Sequence, residues 1–264
     1  MKFTFYKYQG TGNDFVMIDN RDMRFPKSDE SLVNHICDRH FGIGADGLIL
    51  LEEVNGYDFK MVYYNSDGKQ STMCGNGGRC LAAFAYQLDI VKDRGTFLAV
   101  DGPHPFELKG KDIVKLKMKD VDTFENLGSD FILNTGSPHF VRFTEKVMEL
   151  DLVKEARAIR YNERFAQEGI NVNFVEEWDS SSMLRTYERG VEDETLSCGT
   201  GTVAAALSLA IKNDLSVGPV PLHTKGGVLS VYFEKEHHTF VNVWLQGPAK
   251  LVFEGLLDTT CFEF

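Results

Sequence analysis

The sequence has no long hydrophobic run, no basic excess and no paired-cysteine framework, and each absence removes a class of function. Its longest strongly apolar stretch, Val203 to Ile211, is about half of what crosses a bilayer, so no membrane-spanning helix is expected. Met1 to Gln9 alternates polar and aromatic residues without the apolar centre of a secretory signal, and the expected location is the cytoplasm. Lys and Arg number 28 against 39 Asp and Glu, a formal charge of −11. Such a chain repels phosphate backbones and anionic lipid surfaces at long range, so neither nucleic acid nor membrane is an expected partner. Five cysteines, at positions 37, 74, 80, 198 and 261, are an odd number without Cys-x-x-Cys spacing. They read as thiols in a reducing compartment rather than as staples or a structural zinc site. The glycine pattern from Gly42 to Gly47 opens no helix and is no nucleotide fingerprint.

What is present is a globular chain of 264 residues, 43% apolar and 25% charged, enough to bury a core. Period-two alternation marks strands at Phe3 to Tyr8, Phe15 to Asp19, Leu48 to Leu51, Phe59 to Tyr64 and Ile113 to Met118. The second half reads likewise at Phe131 to Leu133, His139 to Phe143, Ile170 to Val175, Met183 to Tyr187, Val228 to Phe233 and Thr239 to Trp244. Helical patterns run from about Asn76 to Leu88, from about Thr200 to Lys212 and, more weakly, from Asp29 to Cys37 behind Ser28 as N-cap. Glu234 to His238, between two strands, reads as a solvated hairpin turn rather than a metal site.

Two segments look like one element used twice. MCGNGGRCLAAFAYQL, containing Cys74, and SCGTGTVAAALSLAIK, containing Cys198, each follow a strand and a loop. Self-similarity at half-chain scale predicts two related α+β domains, 1–122 and 123–249, divided in the polar stretch Asp120 to Asp130. A thiol followed by glycine at a helix start meets unsatisfied amides and the positive end of the helix dipole. Both favour a thiolate, and both also bind a carboxylate. The competing reading, buried cysteine beside a packing glycine, suits Cys37, Cys80 and Cys261, which lack flanking glycine pairs. Two matched thiols suit a reaction that gives and takes a proton on opposite faces of one carbon, as a racemase or epimerase does.

The ordered motifs QGTGNDFVMID from Gln9, RHFGIGADGLIL from Arg39, YNSDGKQSTMCGNGGRC from Tyr64, TGSPHF from Thr135, INVNF from Ile170, YERGVEDETLSCGTGT from Tyr187 and GPAKLVFEG from Gly247 resemble the diaminopimelate epimerase family over nearly the whole chain. That resemblance implies two similar α/β domains, each a curled sheet around a central helix, with the active site in the cleft between them and a last strand, about 250–264, returning to the first domain. It implies Cys74 and Cys198 as acid/base thiols, with no cofactor and no metal. Gly75 with Asn76, and Gly199 with Thr200, would offer amides to the reacting carboxylate. Asn13, Asn65, Asn171, Glu188 and Arg189 would meet the rest of the substrate, and His139 and Glu188 would each help set the protonation of one thiol. A homodimer is implied as well. The chain departs from the family at Ser137, where asparagine is frequent, and at Gly47, where glutamine is frequent.

Four other readings stand beside this one. A proline-racemase-like enzyme would use the same thiol pair but has no need of Asn13, Asn65, Asn171 and Arg189. Phenazine-biosynthesis-type isomerases share the fold and lack the thiols. A thiol redox protein would cycle Cys74 and Cys198 between dithiol and disulfide, and a silent binding protein would have no use for either thiol.

Overall fold

The computed structural model describes residues 1–262, with side chains through residue 260. The chain folds as a mixed α+β protein in two units. One comprises Met1–Leu116 with the C-terminal segment from Pro248, and the other Lys117–Gly247.

In the first unit the strands are β1 (Lys2–Gly10), β2 (Asn13–Asp19), β3 (Gly47–Glu52), β4 (Phe59–Asn65), β5 (Arg94–Ala99), β6 (Gly102–Leu108) and β7 (Ile113–Lys117). Helix α1 (Glu30–Cys37) joins β2 to β3, and α2 (Gly75–Gln87) joins β4 to β5. The second unit has β8 (Phe124–Asn126), β9 (Asp130–Asn134), β10 (Pro138–Phe143), α3 (Leu152–Arg160), β11 (Asn171–Glu177), β12 (Ser182–Glu188), β13 (Asp193–Thr195), α4 (Gly199–Lys212), β14 (Val220–Thr224), β15 (Gly227–Glu236) and β16 (Thr239–Pro248). The last strand is β17 (Lys250–Asp258), antiparallel to β1 in the first unit.

The half-chain repeat is a repeat of topology. In the first unit β1 and β2 are antiparallel, β2 and β3 parallel, β3 and β4 antiparallel, β4 and β5 parallel, and β5–β6–β7 a meander. The second unit repeats the order with β9, β10, β11, β12, β14, β15 and β16. Each parallel step needs a crossover, and a helix supplies it: α1 and α2 in one unit, α3 and α4 in the other.

The two helices of a unit do different jobs. Helices α1 and α3 are amphipathic, and Asp29 and Asp151 cap them by accepting from the amides of Leu32 and Lys154; such a cap is worth about 1 kcal/mol. The cap of α1 is thus Asp29, not Ser28, because its carboxylate reaches the amide three residues on. Helices α2 and α4 are buried on nearly every side, at Asn76–Ala85 and over most of Gly199–Ala210. Helix α2 packs against β1, β2, β3, β6 and β17, and α4 against β9, β10, β11, β12, β14 and β15. Strands between two helices read as continuous apolar runs. In the first unit Val16, Ile18, Leu48 and Leu50 join the core with Leu32, Val33 and Ile36 of α1. In the second, Phe140, Val172, Phe174 and Tyr187 join Leu152, Ala156 and Ile159 of α3.

Candidate active site

Cys74 and Cys198 are the N-cap residues of α2 and α4. Both have extended backbone, φ −98°, ψ 125° and φ −115°, ψ 117°, and neither uses its side chain to cap the helix. The first intrahelical bonds are Gly78 N–H to Cys74 O at 2.7 Å and Thr202 N–H to Cys198 O at 2.9 Å. The amides of residues 75–77 and 199–201 therefore have no carbonyl within their helix, and they concentrate positive potential beside each thiol. Cys74 is half-buried and Cys198 buried. Cys37 and Cys80 are buried thiols too, and burial pushes each up to about 12, which leaves both protonated packing groups. The side chain of Cys261 lies outside the described residues.

At Cys74 a line of polar side chains runs inward from the thiol. Its Sγ–H donates to Asn13 Oδ1 at 3.5 Å, and Asn76 Nδ2 donates to the same oxygen at 3.2 Å. Asn76 Oδ1 accepts from Arg79 Nη2 at 2.9 Å, and that nitrogen also donates to Thr11 Oγ1 at 3.3 Å. Arg79 is fully buried, its hydrogen bonds go to neutral acceptors, and its Nε has no partner. Burial disfavours its charge, while the thiols of Cys80 and Cys74 are the groups whose ionisation would support it. A guanidinium keeps its proton nonetheless, so a permanent cation underlies this helix start.

Asn13 is held from its other end by Asp46, whose Oδ2 accepts from Nδ2 at 2.5 Å. Asp46 belongs to a charged cluster in which Arg39 bridges Asp46 and Asp14 at 2.8 Å each and Lys7 pairs with Asp14 at 2.8 Å and with the carbonyl of Gly44. Burial would raise Asp14, but the hydrogen bonds and charge of Arg39 and Lys7 hold it at about 2. Asn65 ends β4, exposed, directly opposite Gly47. A Cβ at Gly47 would lie 2.4 Å from Tyr64 O and 2.6 Å from Tyr63 Cε2. A side chain here would force the neighbouring strand to shift.

At Cys198 the described hydrogen bonds join neutral side chains. His139 is fully buried, its Nε2 is 2.9 Å from Thr200 Oγ1, and Thr200 Oγ1 is 3.6 Å from Cys198 Sγ. On the other side of the ring, Nδ1 is 3.1 Å from Asn173 Nδ2. Burial, with the charge of Arg189, lowers His139 to about 3, so the imidazole is uncharged near neutral pH. Asn171 faces the same way on β11. Its Nδ2 donates to Ser137 Oγ at 2.7 Å and Pro138 O at 3.0 Å, and its Oδ1 accepts from the Arg189 amide at 2.8 Å. The Arg189 guanidinium donates to Glu168 O at 2.9 Å, and Glu188 Oε1 accepts from Thr195 Oγ1 at 2.6 Å.

The first unit thus brings Asn13, Cys74, Gly75 and Asn76 together, and the second gathers His139, Asn171, Arg189, Cys198, Gly199 and Thr200 at one end of its sheet. Glu188 stands at the end of β12 beside Arg189, while Asn65 has no hydrogen bond to the Cys74 group among those described. Sequence reasoning passed over Arg79, Asp46 and Asn173. A signal existed for two of them: an arginine inside an otherwise small and apolar helix, and an asparagine amid the apolar run of β11.

Two units of one topology, each with a cysteine at the start of its buried helix, are the frame of a class of isomerases. Comparison with known proteins narrows the class. The diaminopimelate epimerase family model matches residues 5–123 and 131–252. The diaminopimelate epimerase of Flavobacterium psychrophilum is 52% identical over 250 residues, covering 94% of this chain and 98% of the relative. The chain belongs to the diaminopimelate epimerase family. Among solved structures, a phenazine biosynthesis protein of the PhzF family from Bacillus anthracis superposes with a TM-score of 0.75 at 12% identity, covering 98% of this chain and 99% of that one. A hydroxyproline epimerase from Agrobacterium vitis gives 0.68 at 13% identity, covering 97% and 92%. At such identities the likeness is one of fold.

Proposed function

We propose that this enzyme interconverts LL- and meso-diaminopimelate by a two-base exchange at one α-carbon. One cysteine of the Cys74 and Cys198 pair, as thiolate, removes the α-proton, and the other, as thiol, delivers a proton to the opposite face. The roles reverse in the reverse direction. The observation that carries the reading is the duplicated helix start: a thiol at the N-cap with no side-chain cap, twice, in a chain of this family. The helix-start amides stabilise the carboxylate as negative charge builds on the α-carbon. Asn13, Asn65, Asn171, Glu188 and Arg189 serve the remaining amino and carboxyl groups, for which a guanidinium and side-chain amides are suited donors and acceptors. No cofactor is invoked, and the proposal includes a homodimer in the cytoplasm.

Incubation of the reduced enzyme in deuterated water with LL-diaminopimelate, without added cofactor, tests this. Deuterium entering one α-position as the meso isomer forms is the expected result. Exchange with L-proline in its place would transfer the enzyme to proline-racemase-like chemistry, and exchange with neither would end the two-base reading.

A further inference from the structure

The hydrogen bonds around His139 have a determined direction, and Asn173 determines it. Asn173 is fully buried on β11 and makes contacts that leave its amide one orientation. Its Nδ2 lies 2.9 Å from Phe140 O, which can only accept, and its Oδ1 accepts from Thr186 Oγ1 at 3.0 Å. The second Nδ2 hydrogen is then directed at His139 Nδ1, 3.1 Å away. A nitrogen that accepts carries no proton, so the ring proton of the neutral imidazole resides on Nε2. That proton is donated to Thr200 Oγ1 at 2.9 Å. The hydroxyl, with one lone pair occupied, keeps its own hydrogen for another acceptor, and Cys198 Sγ lies 3.6 Å away.

We propose that Asn173 is a positioning residue that locks His139 in the Nε2–H tautomer and so turns the Thr200 hydroxyl into a hydrogen-bond donor for the Cys198 thiolate. With the opposite tautomer, Nε2 would take the Thr200 hydrogen and leave oxygen lone pairs facing the sulfur, which disfavours a thiolate. Gly201 belongs to the same device: a Cβ there would lie 2.6 Å from Asn173 Oδ1. The glycine that reads as a flexible helix start makes room for the asparagine. His139 with both nitrogens engaged is not itself the proton carrier; it orients the group that touches the sulfur. The catalytic value of the relay rests on Cys198 acting as proposed above, but its existence does not, so the test uses no substrate.

Long-range proton–nitrogen spectra of the imidazole rings, recorded on the 15N-labelled full chain from about pH 5 to about pH 8, show each tautomer directly, with His139 assigned by its loss in His139→Gln. The expected pattern is a lone-pair Nδ1 and a protonated Nε2 that do not change over that range. A protonated Nδ1, or titration in that range, would overturn the proposal in the unmodified protein. Asn173→Asp replaces the donor with an acceptor and should move a proton to Nδ1. Iodoacetamide labelling mapped by mass spectrometry should then show Cys198 modified several-fold more slowly with Cys74 unchanged. A folded Asn173→Asp protein with the original tautomer and the original Cys198 rate would equally sink the proposal. Loss of structure would instead accelerate labelling at both sites and at buried Cys80.

Discussion

The two helix starts share a backbone and differ in what lies beneath it. Under Cys74 the polar line leads to Arg79, a buried cation bonded to neutral groups, whereas under Cys198 it runs through His139, a buried imidazole without charge, to Asn173. A permanent charge favours a thiolate whichever way its neighbours point, whereas a neutral relay favours one only when its hydrogens run towards the sulfur. In the proposed reaction one cysteine must be thiolate while the other is thiol. Surroundings that differ in this way distinguish the two before substrate arrives, although the motifs that carry them are nearly the same in sequence.

The largest effect expected is from either thiol alone. Cys74→Ser and Cys198→Ser should each lower kcat/KM for diaminopimelate epimerisation by roughly 10²–10⁴, the usual contribution of a positioned proton-transfer group. If either variant kept most of its activity, the two sites would not be partners in one exchange, and comparing them would lose its meaning.

The next effect separates the neutral site from the charged one through stability. His139 falls from 6.5 to about 3 on folding, so below pH 6.5 the unfolded chain takes up a proton that the folded one refuses. Its contribution is complete above about 6.5 and is lost as pH falls towards 3. Between pH 7 and pH 5 the loss is about 2 kcal/mol for one such group. Urea titrations should show His139→Gln losing less stability over that interval than the parent protein. Asp14, held at about 2, contributes above the unfolded carboxylate range and fails only in stronger acid, so it does not obscure the result. Equal losses in the two proteins would mean that His139 is charged in the folded state.

On the other side, Arg79→Met should slow alkylation of Cys74 about tenfold at fixed neutral pH by removing the nearby cation, and leave Cys198 unaffected. Stability should hold or rise, since a buried guanidinium bonded to neutral acceptors repays little of its desolvation cost. An unchanged Cys74 rate would show that the helix amides alone set this thiol, and the contrast between the two starts would shrink to exposure.

How much of this was legible in the sequence follows from what each residue does. The repeated Cys-Gly-x-Gly segments predict both buried helices, and alternation finds strands such as β2 and β10, because burial on one or both faces dictates residue type directly. Helix α3 went unread although Asp151, Leu152, Ala156 and Ile159 hold the spacing of a capped amphipathic helix, since its charged outer face dominates its composition. The short strands β8 and β13, three residues each, leave too little pattern to detect. Networks are harder still. That Asn173 meets His139 depends on β10 and β11 being parallel neighbours, with His139 opposite Asn171, and no local pattern records a register. The roles of Arg79 and Asp46 likewise come from what lies around them.

The remaining effects concern Gly47 and Ser137, one in each unit. Gly47→Ala should cost about 1–3 kcal/mol, because its Cβ would meet the Tyr64 carbonyl at 2.4 Å and backbone cannot move aside as a side chain can. Ser137 is the opposite case. Its hydroxyl accepts from Asn171 Nδ2 at 2.7 Å, but that nitrogen also donates to Pro138 O at 3.0 Å. Ser137→Ala therefore leaves Asn171 oriented and should cost less than about 1 kcal/mol. If Ser137 only braces Asn171, KM for diaminopimelate stays within about twofold, well under one hydrogen bond's worth of binding. A KM rise approaching tenfold with unchanged stability would show that the serine meets the substrate itself, and the Cys198 side would then gain a specificity contact that Gly47, with no room for a side chain, cannot match in the first unit.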